Sequence, residues 1–298
     1  MPNITVTTAQ NFIPEIWAQN AMQVLRNNMV LANLVTRDSD VGAFAQGDTL
    51  HIPFPGTFVA NDKAPGGNVT TQVPTDAEVV VVLNKHKEVT FLIEDVPKVQ
   101  ANQDLMNRYL TNAIVPIAEQ IETDLFALYA SLTNSVASAS MTGAQILAGM
   151  LKLNQNKVRL QDRNLVISPG SQVKLLSDTN LQSFFAFSEP QAIRNGGIGR
   201  AYGFNIFMSQ LTPLATTYKN LAFTPDAFIL AMRSLPESGN PGVDQMVVQD
   251  PESSLQFRQT VSYNPNALGV QVTLDVLYGV NVLRNAGGTV VLTPSGDG

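Results

Sequence analysis

Residues 48–94 read as a hairpin too long for its own domain to cover. Asp48–Phe54 has the pattern of a short strand and Ala77–Glu94 that of a long one. The long strand alternates, with Val79, Val81 and Leu83 on one face and then Val89, Phe91 and Ile93. Val79–Leu83 is also a continuous apolar run, the pattern of a stretch covered on both faces. Pro53 and Pro55 have no amide N–H to donate, so the first strand should be an edge or end early. Between the strands, Pro55–Asp76 is polar, with three prolines, the pair Gly66-Gly67 and a single cation, Lys63. A structureless loop of that length is unusual in a compact domain, and a lone two-stranded hairpin is marginal in water. The arm is explained if its partner is another copy of the same chain, which points to assembly rather than catalysis.

Composition agrees. With 298 residues, 44% of them hydrophobic, the chain can bury a real core in one large domain or two ordinary ones. Charged residues are only 14%, well below the average of about 25%. Asn (25) and Gln (20) together outnumber the 42 charged residues, and amides hydrogen-bond across an interface without the desolvation cost of a charge. The net charge of −6 argues against gripping nucleic acid through basic patches. The absence of cysteine excludes disulfides, thiolate nucleophiles and zinc–thiolate sites. Met1–Gln10 is polar without a basic start, so no signal peptide is expected, and no apolar run is long enough to span a membrane.

Along the chain, Pro14 opens a helix with an apolar stripe at Ile13, Trp17, Ala21, Val24 and Met29. Asn102–Thr133 carries the strongest helical pattern: Leu110, Ile114, Ile117, Ile121, Leu125, Leu128 and Leu132 recur every three or four residues. Pro116 inside it predicts either a kink or two helices meeting there. After a Ser/Ala-rich link at Val136–Ser140 the pattern turns α/β. Thr142 caps a helix to about Asn156, Asn164–Ser168 is a strand, and Gly170–Ser177 is a helix entered through Pro169. Phe204–Met208 and Leu221–Thr224 are strands, and the short apolar run Ala227–Arg233 fits strand or helix. Gln256–Tyr263 and Val270–Leu283 form an antiparallel pair, and Val290–Thr293 returns to the α/β part.

Residues that could carry chemistry do not converge. His51 and His86 are the only histidines, both on the hairpin where they could face each other, and no third metal ligand is placed. Ser168-Pro169-Gly170-Ser171 lacks the glycines of a nucleophile elbow. Gly196-Gly197-Ile198-Gly199 precedes a strand rather than opening a helix, which is the wrong context for a phosphate loop. Glu119, Glu122 and Asp124 lie on the long helix and read as a solvated or interface face. No catalytic, cofactor or metal site is expected; the rival reading is an α/β enzyme built around Ser168 or Gly197.

Several phrases of the sequence, in order, resemble the major capsid proteins of tailed bacteriophages. Asn11–Trp17 (NFIPEIW) and Gly47–Pro53 (GDTLHIP) resemble their opening, and Asn164–Leu176 (NLVISPGSQVKLL) their strand-turn-helix. Asn195–Ser209 (NGGIGRAYGFNIFMS) resembles the glycine turn before a central strand, and Leu274–Arg284 (LDVLYGVNVLR) the closing strand. The resemblance implies an α+β architecture, the Hong Kong 97-like phage capsid fold. Its parts would be an N-terminal arm at 1–46 and an E-loop β-hairpin at 47–93. A peripheral domain would take 94–139 and 246–286, with a spine helix at 102–133. An α/β axial domain would take 140–245 and 287–298.

The implied function is self-assembly into the pentamers and hexamers of an icosahedral phage head. Such a head encloses double-stranded DNA without specific binding, and the shell would be a virion capsid assembled in the host bacterial cytoplasm. Phe58, Asn61, Asp62, Lys63 and Asn68 at the E-loop tip would contact a neighbouring subunit. Pro97 and Pro116 would act as hinges, and Glu237 and Asn240 would lie on the axial loop. No long scaffolding segment precedes the arm, so a separate scaffolding protein is expected, with a portal protein and a decoration protein as further partners. Some relatives crosslink through a lysine and an asparagine; Lys63 lies near that loop, but no partner is matched and the role is not carried over. An encapsulin-like nanocompartment shell of the same fold is the alternative.

Overall fold

The structure is a computed structural model that describes residues 29–38, 49–95 except 55 and 57, 105–179, 199–214, 217–233, 243–249, 255–285 and 289–295, and single positions at 21, 25, 181, 235, 236, 239 and 297. Its organising strand is β13 (Gly269–Val282). Along one edge β13 pairs antiparallel with β4 (Lys85–Glu94). Along the other it pairs first with β12 (Gln256–Asn264) and then with β10 (Phe228–Arg233). β11 (Val243–Gln249) extends the sheet beyond β12, and β1 (Thr36–Asp38) runs parallel to β10.

Side chains alternate across this sheet with the period of a strand. Val272, Leu274, Val276 and Tyr278 all face one core, together with Val89, Phe91 and Ile93 of β4. Helix α1 (Leu105–Ala127) supplies the other side of that core through Leu110, Ile114, Ile117, Ile121 and Leu125. The sequence stripe is therefore correct, but the helix is shorter: a 3-10 turn at Leu128–Ser131 ends it. α1 runs unbroken through Pro116, so the two-helix alternative fails. Pro116 and Asn112, whose carbonyl loses its partner, are both exposed, so water can satisfy that oxygen. Ala21 and Leu25 are helical and, with Met29, buried in this core; Ile13, Trp17 and Val24 lie outside the described residues.

The second sheet runs in the order β5 (Ser135–Ser138), β14 (Thr289–Pro294), β9 (Asn220–Phe223), β6 (Asn164–Ile167), β8 (Phe204–Met208), β7 (Arg200–Ala201). Helices α2 (Gly143–Gln155) and α3 (Pro169–Ser177) pack on one face, against Leu165, Ile167, Ala222, Val290 and Leu292. The alternate residues Val166, Leu221, Phe223 and Val291 point the other way into the α1 core, so the two sheets share it. Tyr202 and Gly203, at φ 50 and 80, make the two-residue turn from β7 to β8, the backbone pattern of a type I′ hairpin.

Three sequence readings shift. The expected single strand Ala77–Glu94 is two: β3 (Ala77–Val82) pairs with β2 (Thr49–Phe54) in a separate ribbon, and only β4 joins the first sheet. The chains cross closely there, since a Cβ on Gly279 would lie 2.3 Å from the Val82 carbonyl oxygen. Val79–Val82 is covered on one face rather than two: Val81 is buried and Val82 is exposed. Sheet membership also cuts across the boundaries expected from sequence. β10, placed within 140–245, belongs to the β13 sheet, β11 straddles the boundary at 245/246, β5, placed within 94–139, belongs to the second sheet, and β4, placed with the hairpin, belongs to the first.

Candidate functional site: the hairpin arm and its anchors

The arm is not structureless. Ala64-Pro65-Gly66-Gly67 forms its tip, with Gly67 N–H donating to Ala64 O at 3.0 Å and Gly66 at φ 79, the signature of a type II turn. Below the tip the described residues of the two legs form no ladder. Side chains replace it. The Gln72 amide faces the Val59 backbone and makes both bonds a strand partner would make: Val59 N–H donates to Gln72 Oε1 at 2.9 Å, and Gln72 Nε2 donates to Val59 O. At the root, Gly56 N–H donates to Asp76 Oδ1 at 3.0 Å. The legs approach closely there, where a Cβ on Gly56 would lie 2.6 Å from Thr75 O.

This braced ribbon exposes apolar side chains that its own subunit leaves bare: Phe58 at 70%, Val59 at 68%, Val69 at 74% and Val73 at 89%. Asn61, Asp62, Lys63 and Asn68 are exposed around the tip. The base of the arm is covered: Leu50 and Val81, directly paired across β2 and β3, pack on Ile229 and Ala231 of β10. The expectation that the hairpin packs on nothing of its own thus holds above the base and fails at it.

Where the arm joins the body, two consecutive residues of β4 point to opposite faces of the sheet and each meets a carboxylate. Lys85 Nζ lies 3.2 Å from Asp124 Oδ2 on α1, and Tyr278 donates to the same oxygen at 2.6 Å. Burial, with Asp124 as acceptor, pushes the Tyr278 phenol well above its usual range. On the other face His86 Nε2 lies 2.9 Å from Asp275 Oδ2, and Arg258 donates to both oxygens of that carboxylate. His51 instead pairs with Glu78 at 3.2 Å, so the two histidines do not face each other.

Glu122 departs from the reading of the α1 acids as a solvated or interface face. It is buried, and its carboxylate accepts the backbone N–H groups of Leu31 at 2.9 Å and Ala32 at 2.8 Å. Burial raises its pKa; the N–H bonds from Ala32, Leu31 and Val30 act against that shift. It ties the segment leading into β1 to the C-terminal third of α1. Its place beside Glu119 on the helix carries no signal of this; only the apolar neighbours Ala118 and Ile121 hint at burial.

No catalytic constellation forms among the described residues. Ser168 is buried and caps α3, accepting the Ser171 N–H at 3.2 Å. Ser171, Asn220, Ser140 and the Met141 backbone form a hydrogen-bonded network around Asp297, which fastens the end of the chain to α3. No group of three or more His, Asp or Glu side chains is placed to hold a metal ion among the described residues. Among them no helix is long and apolar enough to cross a membrane. Gly196, Gly197, Pro97, Glu237 and Asn240 lie outside the described residues.

No known family model matches the sequence, and no curated protein does. Solved structures do match, along most of the chain. A chain from Mycobacterium phage Che8 aligns with a TM-score of 0.66 at 19% identity, over 89% of this chain and 90% of that one. A capsid chain of cyanophage P-SCSP1u aligns at 0.64 and 16%, over 89% and 88%. A virus-like particle chain from Pyrococcus furiosus aligns at 0.53 and 13%, over 93% and 98%. Likeness this extensive at such low identity establishes the architecture: the chain has the α+β, Hong Kong 97-like fold of phage capsid chains.

Proposed function

We propose that this chain is the major capsid protein of a tailed phage, a structural protein without enzymatic activity that self-assembles into the pentamers and hexamers of an icosahedral head. The capsid fold over nearly nine-tenths of the chain supports this reading, but one observation carries it. The arm is braced internally yet presents Phe58, Val59, Val69 and Val73 bare. Such a surface gains from burial on a second copy at about 25 cal/mol per Å² before association costs. Many such contacts per subunit stabilise a closed shell through multivalency.

In this reading 1–46 is the N-terminal arm and the hairpin above Leu83 is the E-loop, whose residues Phe58, Asn61, Asp62, Lys63 and Asn68 meet the neighbour. The β13 sheet with α1 is the peripheral domain. The second sheet with α2 and α3 is the axial domain, with Glu237 and Asn240 on its loop, and Pro97 and Pro116 serve as hinges. The shell encloses double-stranded DNA in the virion after assembly in the host cytoplasm, with a portal, a scaffolding protein and a decoration protein as partners. The net charge of −6 suits a wall that does not hold the DNA.

The virus-like particle chain from Pyrococcus furiosus supports a second reading, a nanocompartment shell of the same fold. Electron microscopy of the purified particles, with analysis of their contents, separates the two. Packaged DNA and a portal vertex support the phage head, a protein cargo supports the compartment, and failure to form any particle contradicts both.

A further inference from the structure

We infer that the cationic end of the second sheet, built around the loop 156–163, receives the arm of a second copy of this chain; this rests on the shell reading above. The chain is acidic, but its charge is divided. Residues 143–223, from the start of α2 to the end of β9, hold eight of the eighteen Lys and Arg residues and three of the twenty-four Asp and Glu, a net +5. The rest of the chain is therefore at −11. Part of the positive charge gathers where β6 and β8 begin. Lys157 and Arg159 lie on the loop from α2 to β6. Arg200 stands opposite Asn205, whose N–H donates to the Arg163 carbonyl at 2.9 Å. Arg159 and Arg284 share one carboxylate, Asp226, at 3.6 and 3.5 Å, which leaves one of the two charges uncompensated. Lys157 and Arg200 are exposed and have no ion-pair partner among the described residues.

The loop is held in one shape. Buried Arg163 folds back on it and donates to the carbonyls of Arg159 and Val158, both at 2.9 Å. Lys157 and Asp162 take left-handed backbone, each at φ 55, a conformation that costs a non-glycine residue free energy. A loop fixed in this way loses little further freedom when a partner binds. Within it Leu160 is 70% exposed, among the cations. The arm carries the complementary features. Residues 49–84 contain three acids, Asp62, Asp76 and Glu78, against the single cation Lys63, a formal −2. Asp62 is exposed near the tip, and the bare Phe58, Val59, Val69 and Val73 lie along the legs. Acids interleaved with exposed apolar side chains fit cations grouped round an exposed leucine. A phosphate backbone would satisfy the cations and leave Leu160 in water, so the arm is the better occupant. Within one subunit no hydrogen bond or ion pair joins arm to loop among the described residues. Two different surfaces make a heterologous contact, the kind that closes rings.

Charge swaps and crosslinks test this separately. Lys157→Glu or Arg200→Glu alone is expected to keep the thermal midpoint of the subunit and to lower the particle yield at least about tenfold, because like charges then meet across the contact. Adding Asp62→Lys or Glu78→Lys to the same chain is expected to restore particles in at least one of the four combinations. The chain has no cysteine, so engineered thiols report cleanly. Leu160→Cys is combined with Phe58→Cys, Val69→Cys or Val73→Cys, and assembled particles are treated with a short bis-maleimide and run on a denaturing gel. At least one combination is expected to give a ladder of covalent multimers, while each single-cysteine chain stays monomeric. Normal particles from both single reversals, failure of all four swaps to restore them, or no ladder from intact particles each overturns the inference and leaves the shell reading standing. Reversals that spare assembly but lower the DNA retained by the particles overturn it too, and give the cationic end to phosphate. A crosslink confined to one chain, which would seat the arm on its own loop, also overturns it. If the unmodified chain forms no particles, the shell reading falls and the inference falls with it.

Discussion

Arg258 and Asp275 stand directly opposite each other on β12 and β13 and share two hydrogen bonds, at 3.1 and 2.7 Å. Asp275 is almost fully buried and also meets His86 of β4. One carboxylate thus ties together the three strands at the foot of the arm. Asp275→Asn leaves the Arg258 guanidinium without its counter-charge and is expected to destabilise the subunit by about 3 kcal/mol. Replacing both partners with apolar residues of similar volume is expected to be far milder. Urea denaturation of the unassembled subunit checks both.

Glu122 gives a pH signature. Its folded pKa is raised above the ordinary 4.5, so the folded state holds the proton more tightly than the unfolded chain. Its contribution to stability is fully present below the unfolded pKa and falls as pH rises through the folded one. Glu122→Gln cannot ionise, so the stability of the parent relative to this variant is expected to shrink as pH rises from about 4 toward neutrality. A difference that grows with pH contradicts the assignment. Glu122→Ala, which strands two backbone N–H groups, is expected to cost about 2–4 kcal/mol near pH 4, and that cost shrinks with rising pH as it does for Gln.

Gly279→Ala forces a methyl group against the Val82 carbonyl, where the arm leaves the β13 sheet. A loss of about 1–3 kcal/mol is expected from this overpacking. Thermal unfolding of the subunit measures it.

Gln72→Ala removes the amide that stands in for a ladder pair with Val59. Because the site is on the exposed arm, subunit stability is expected to change by no more than about 0.5 kcal/mol. Faster amide exchange at Val59 and a lower yield of particles are expected together. Unchanged exchange at Val59 contradicts the brace.

The parts readable from sequence are those that local pattern determines. The α1 stripe, the alternation of β4, the β12–β13 pair and the Pro169 entry to α3 each follow from periodicity or from one residue with restricted backbone geometry. What escaped depends on partners remote in sequence. Ala77–Glu94 looks like one strand because nothing local marks the crossing at Gly279, nearly two hundred residues away. Ser135–Ser138 has the composition of a link, and becomes β5 because β14 pairs with it and Lys152 closes its edge. Ala227–Arg233 was ambiguous because β10 is buried on both faces, which erases the alternation that distinguishes strand from helix. The exposure of Phe58, Asn61, Asp62, Lys63 and Asn68 was legible in a polar loop. The Gln72 brace was not, since a glutamine in a polar loop has no distinguishing pattern.

The central claim is that the arm is built to lie on another subunit. Cryo-electron microscopy of the full chain beside a variant in which residues 58–75 are replaced by a short turn tests it most directly. The account predicts closed shells for the full chain, with the arm density over a neighbouring copy, and a folded variant that forms none. Normal shells from the shortened chain, or an arm folded back onto its own subunit, would contradict it.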